Sequence, residues 1–173
     1  TLHASLLARL DRLAPTREVA QIGAALGRHF SHELISAVAP MPQHQLDDAL
    51  AQLVSAELIF RRGMPPDAEY TFKHALMQDA AYGTLLRGRR QQLHARIAAT
   101  LEDQFPEIKA TQPELLARHC AEAGLGAKAV GYRLKAGQQA LVREAMIEAE
   151  AQLRKGLGLI ANTPDGAERL QFE

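Results

Sequence analysis

Between Tyr70 and Leu86 the chain reads YTFKHALMQDAAYGTLL, and the period of its hydrophobic residues changes inside that stretch. Tyr70 and Phe72 alternate with Thr71 and Lys73, as in a half-buried strand, whereas Leu76, Ala80, Ala81 and Leu85 recur at helical spacing. One element cannot carry both periods, so a strand hands over to a helix at His74. A histidine there meets the first N–H groups of the helix, which have no partner within it, so ring and helix end together can face an anion. The plain alternative is a histidine that only caps or packs.

The residues before this junction predict a leading helix, three further helices and a strand. Leu2, Leu6, Leu7, Leu10 and Leu13 lie on one helical face, opposite Arg9, Asp11 and Arg12. Pro15 suits the first turn of the next helix, whose stripe is Val19, Ile22 and Leu26 and whose end is Gly27. His29 falls in the turn after that helix. Phe30 before Ser31 as N-cap, with Ile35 at the fourth helical position, forms a hydrophobic staple, and Pro40 and Pro42 close that short helix. A third helix spans Gln43 to Glu57, with Leu46, Ala49, Leu50, Leu53 and Val54 inward and Asp47 and Asp48 near its positive end. Leu58, Ile59 and Phe60 read as a strand, and Arg61 to Ala68 as the loop leading to the second strand at Tyr70.

Beyond Leu86 there is no strand signal. Arg87, Gly88, Arg89 and Arg90 make a basic turn into a helix that buries Leu93, Ile97 and Leu101 and ends at Phe105-Pro106. With Arg96 these cations can meet phosphate or an acidic neighbour, but the plainer reading, a solvated helix start, is preferred. Pro113 opens another helix with Leu115, Leu116 and Cys120 inward, and Gly124 and Gly126 break the chain. Ala127, Val130, Leu134 and Leu141 form the stripe of the next helix, and Ala149, Leu153, Leu157 and Ile160 that of the last. Short helices with small residues at their contacts predict antiparallel stacking. Gly137, Ala149, Leu153 and Gly156 stand at the spacings of small, small, large and small residues in tetratricopeptide repeats, with Pro164 later than that pattern puts it.

Charge and motifs narrow the chemistry. Lys plus Arg and Asp plus Glu are 20 each in 173 residues, so no overall field draws the chain toward nucleic acid or an anionic membrane. The third helix carries no Lys or Arg and would be repelled by a phosphate backbone, and Arg61, Arg62 and Lys73 read as a solvated edge, so no duplex binding is expected. A hydrophobic content of 47% supports a real core, and no apolar run reaches membrane-span length. With no signal peptide the expected location is cytoplasmic. Neither a GxxxxGK phosphate-binding loop nor the paired aspartates of a cyclase core occurs, so the chain is expected not to be an enzyme. His29 and His32, and His119 beside Cys120, lack the further ligands of a metal site. His29 reads as a turn residue, His119 as a helix-face residue and Cys120 as an inert core thiol. Tyr82 and His94 read as rings that pack and hydrogen-bond locally.

An apolar strand, His74 and a Leu-rich helix together resemble the end of the winged-helix domain in signal-transduction ATPases with numerous domains, the STAND group. There the histidine belongs to a methionine-histidine-aspartate motif that contacts bound nucleoside diphosphate; here the corresponding residues are Lys73, His74 and Ala75, and only the histidine is kept. The phrases FKHALMQDAAYGTLL and RRQQLHARIA are similar to segments located after the ATPase core in bacterial nucleotidyl cyclases and large transcriptional regulators. The resemblance implies a mainly α fold: a winged helix over residues 1–86, with 1–13 as lead-in, a connecting helix over 87–110, and a truncated region of antiparallel, tetratricopeptide-like α-hairpins over 111–173. It implies a regulatory segment of a longer protein, with His74 sensing the phosphate of ADP held with Mg on an ATPase core outside this chain. The partners are then that core and an unknown protein or ligand at the repeats, with no cofactor in the chain itself. The same architecture fits a large transcription activator, and a nucleotide-independent interaction scaffold is a third reading.

Overall fold

The computed structural model describes residues 14–162, which fall into two compact units, Thr1–Arg89 and Arg90–Glu173. The stripe from Leu2 to Leu13, and Pro164, lie outside the described residues. Among those described are nine helices and one three-stranded antiparallel sheet, so the fold is mainly α.

The first unit runs α1 (Ala14–Leu26), β1 (His29–Ser31), α2 (His32–Val38), α3 (Gln43–Ser55), β2 (Ile59–Arg62), β3 (Glu69–Phe72) and α4 (Ala75–Gly83). Val19, Ile22 and Leu26 are buried on α1, as their spacing predicts, and Gly27 ends the helix at φ 147°. That backbone region is open to glycine and strained for most other residues. Ser31 caps α2 by accepting a hydrogen bond from the Leu34 amide at 3.1 Å, and Phe30 and Ile35 on either side of it are buried.

Three boundaries differ from the sequence reading. His29 lies in a strand: His29, Phe30 and Ser31 pair with Thr71, Tyr70 and Glu69. A strand of this length is too short to show alternation, and only pairing with a distant segment reveals it. Arg61 and Arg62 extend β2, because their backbones continue the ladder opposite Tyr70 and Glu69 while their side chains stay in solvent. The third helix stops at Ser55 and does not reach Glu57, which adopts φ 57° and lets the Leu58 amide bond back to the Leu53 carbonyl at 3.0 Å. A left-handed residue with such a bond after it satisfies the last carbonyls of a helix.

The strand order is β1-β3-β2, so β3 is central. Phe30, Ile59, Tyr70 and Phe72 are all buried. The Phe30 ring stacks on Tyr70 at 5.6 Å between centroids and meets Phe72 at 6.0 Å. Gly23 on α1 admits that ring: a Cβ at this position would lie 2.8 Å from Phe30 Cζ.

The second unit contains α5 (Arg87–Gln104, which enters it at Arg90), α6 (Pro106–Thr111), α7 (Pro113–Glu122), α8 (Gly126–Val142) and α9 (Met146–Ala161). Arg87 to Arg90 form the first turn of α5 and not a turn before it. Leu93, Ile97 and Leu101 are buried as expected. The two stripes expected on α8 and α9 are only half right. Val130 and Ala149 are buried, but Leu134, Leu141 and Leu157 are 50%, 45% and 67% exposed. The inward positions of α8 are Ala129, Ala136, Gly137 and Ala140, and Ala149 and Gly156 serve that role on α9. Small residues win these positions because the helices approach closely. A Cβ on Gly137 would sit 2.8 Å from Leu153 Cγ, and one on Gly156 3.4 Å from Arg133 Cβ. Glu102 ties α5 to α8, accepting from Lys128 Nζ at 2.6 Å and Tyr132 Oη at 2.8 Å. Burial alone would raise its carboxyl, but those two hydrogen bonds together with the charges of Lys128 and Lys109 outweigh it and hold the group below its ordinary range.

Gly23→Ala should destabilise the first unit, because the Phe30 ring is pinned by Tyr70 and Phe72 and cannot retreat. Overpacking costs about 1–3 kcal/mol, and the gain in helix propensity offsets only about 1 kcal/mol of it. A lowered denaturant midpoint for this unit is the expected result.

Candidate functional site

His74 is the N-cap of α4, with extended backbone at φ −134° and ψ 143°. Its carbonyl accepts the Met77 amide at 3.0 Å, so the backbone is committed to the helix start. The side chain makes no capping hydrogen bond and is exposed. His74 thus occupies the N-cap position by its backbone, and its side chain does not cap the helix.

The ring is displayed from a firmly held position. On its N-terminal side, the Phe72 amide donates to the Arg28 carbonyl and the Lys73 amide to the Leu58 carbonyl, each at 3.0 Å, anchoring the end of β3 on both flanks. On its C-terminal side, α4 is fixed to α1 by two side-chain bonds. Gln78 Nε2 donates to the Ala24 carbonyl at 3.1 Å, and Gln21 Nε2 donates to Thr84 Oγ1 at 2.7 Å. Ala80, Ala81 and Leu85 are buried, as the helical period predicts, but Leu76 is 55% exposed and joins His74 at the surface. Lys73 lies 5.5 Å from the centroid of the Phe60 ring and 3.5 Å from a Glu57 carboxylate oxygen. Phe60 is itself 54% exposed, so the neighbourhood of His74 presents an imidazole, a lysine paired with the Glu57 carboxylate, and two apolar side chains to solvent. An imidazole N–H beside a helix N-terminus is suited to an anionic oxygen.

His29 and His32 of the first unit are engaged elsewhere. His29 Nδ1 meets Thr71 Oγ1 at 2.8 Å, whereas His32 is buried and its Nε2 meets Asp47 Oδ1 at 2.8 Å, so the two are directed to different partners. Asp47 also accepts from Gln43 Nε2 at 2.9 Å, leaving Asp48 as the exposed acid of α3. Tyr82 is half-buried. Arg87, Arg89 and Arg96 are exposed on α5. Cys120 is fully buried against Ala98 and Ala129, and burial, reinforced by the Glu102 charge, pushes its thiol up to about 11.

Sequence reasoning missed one pair. His94 on α5 and His119 on α7 are 2% and 1% exposed, and their Nδ1 atoms lie 2.8 Å apart. Taken singly, each reads as a helix-face histidine, and nothing in a spacing of 25 residues announces that the rings meet. Only the packing of α5 on α7 does so.

His74→Ala should shift the stability of the chain by no more than about 0.5 kcal/mol, since the ring supports no bond in its own helix; thermal unfolding of both forms checks this. Cys120 should resist thiol reagents at neutral pH in the folded chain and react once denaturant is added.

No family model and no solved structure matches the chain. A protein of Rhizobium meliloti (strain 1021), described only as uncharacterized, is 32% identical to it over 170 residues, which are 96% of this chain and 16% of that protein. The chain thus spans about a sixth of the length of the relative it matches.

Proposed function

We propose that this chain is a regulatory, non-catalytic segment of a larger signal-transduction ATPase, one coupled to a nucleotidyl cyclase. In it a winged helix and the first tetratricopeptide-like hairpins link the nucleotide state of an ATPase core to partner sensing. The observation that carries the reading is the presentation of His74. A ring free of any cap bond stands outward from a strand-to-helix junction braced on both sides. The order helix, strand, helix, helix, hairpin supports naming the first unit a winged helix. The meeting of Gly137 with Ala149 and Leu153, and of Gly156 with α8, supports naming the α8–α9 pair a tetratricopeptide-like hairpin. Exposed Leu157 and Ile147 on α9 suit further stacked helices. The share of the Rhizobium protein that this chain spans supports reading it as one part of a multidomain protein. Exposed Asp48, on a helix without Lys or Arg, argues against duplex binding through α3.

In this mechanism the segment makes and breaks no covalent bond. His74 donates a ring N–H to the β-phosphate of ADP on the neighbouring core and so favours the closed arrangement. Replacement of ADP alters that contact and lowers the preference. The ligand shifts the balance only by its difference in affinity for the two arrangements, and a few kcal/mol of difference reverses it. The first alternative, a transcription activator built on the same switch, uses His74 identically.

One feature favours the scaffold reading as a rival. A groove of about 580 Å³ lies between α6 and α8, lined by Thr111, Lys135, Gln139, Val142 and Arg143 among others, and is of a size that accepts a peptide side chain.

In the longer protein that carries this segment, His74→Ala should weaken ADP binding by roughly ten- to a hundredfold, the equivalent of one hydrogen bond to a charged group at about 1.5–3 kcal/mol. ADP affinity that stays the same in calorimetry would remove the switch reading and leave the scaffold.

A further inference from the structure

We infer that the contact between His94 and His119 is a proton-operated latch: taking up one more proton separates α5 from α7 and opens the second unit locally. Hydrogen-bond donors and acceptors fix which ring nitrogen holds which hydrogen. Arg118 Nη2 lies 3.2 Å from His119 Nε2, and a guanidinium can only donate, so that nitrogen accepts. The hydrogen of neutral His119 is therefore on Nδ1, from which it is donated to His94 Nδ1 at 2.8 Å. Neutral His94 then carries its own hydrogen on Nε2. Every ring nitrogen still able to bind a proton is already an acceptor: His94 Nδ1 for His119, and His119 Nε2 for Arg118. A proton added to His94 Nδ1 breaks the bond between the helices, whereas one added to His119 Nε2 breaks only the Arg118 contact within α7.

The surroundings do not compensate. The charges that bear on the pair are Arg90 on α5 and Arg118 and Glu122 on α7, and Arg133 on α8 lies near Arg118. Cations thus outnumber the one carboxylate that acts on the rings. The buried histidine of the first unit is built the opposite way. His32 Nε2 faces the Asp47 carboxylate at 2.8 Å, where the His94–His119 pair has a second imidazole. Burial, with Arg118 and Arg90 adding to it and Glu122 opposing, lowers His94 from 6.5 to about 4. Burial and the charges of Arg118 and His94 lower His119 from 6.5 to about 3. Rings in the opened form take up protons near 6.5, whereas those in the closed form do so only near these lower values. Over that interval the open form binds more protons, so opening becomes easier as pH falls, and above 6.5 the latch stays shut.

Amide hydrogen exchange on the intact chain, monitored by mass spectrometry from about pH 7.5 to about pH 4.5 and corrected for intrinsic rates, tests this. Protection of α5 and α7 should fall by about tenfold per pH unit for each proton taken up, while α1 to α3 stay protected. Constant protection of α5 and α7 overturns the inference, and so does simultaneous loss in both units, which would be global acid unfolding. Pairing His94→Phe with His119→Leu should abolish the pH dependence in α5 and α7; its persistence overturns the inference. If that variant does not fold, proton NMR of the histidine rings in the unaltered chain decides. Two rings should remain neutral until α5 and α7 lose protection, and two that titrate near 6.5 while both helices stay protected would show there is no latch.

Discussion

The first unit depends on the burial of one aromatic triad across its small sheet. Phe30, Tyr70 and Phe72 come from two strands separated by some 40 residues, and their contact turns a helical chain with short extended pieces into a defined body. A two-stranded hairpin alone is marginal in water. Here β3 gains a second partner in β1 and a hydrophobic cover in α1, which approaches closely because residue 23 has no side chain. The strand is thereby immobilised on both edges up to Lys73, and the junction at His74 inherits that rigidity.

That inheritance links architecture to the proposed chemistry. A sensor of a phosphate oxygen must hold its donor within a few tenths of an ångström, and long flexible loops do this poorly. Strand and helix fix the backbone of His74 and leave its ring without a bond, so a docked partner would have to complete the positioning of the imidazole. Exposed Phe60 and Leu76 nearby give the same surface apolar area that a docked neighbour can cover.

Much of this was legible in the residues. The change of period at His74, the Ser31 cap, the α1 stripe and the stops at Gly27, Pro106 and Gly124 all carry local signals, and the structure obeys them. The features that escaped depend on partners distant in sequence. The strand at His29 exists only because β3 is there to pair with it. Leu134, Leu141 and Leu157 have the right period for a core, yet glycines and alanines occupy the contact, since hydrophobicity alone does not say which face two helices will press together. The pairing of His94 with His119 escaped for the same reason. The candidate residue His74 was singled out by its junction, while its outward ring and the bracing by Gln78 and Gln21 were not readable.

The two glutamine bonds between α4 and α1 have a mechanical consequence. Because Gln78 grips the Ala24 carbonyl and Gln21 grips Thr84, the helices are clasped at two points and cannot slide independently. A load applied at the imidazole is therefore shared between the two helices through these bonds and is not borne by α4 alone.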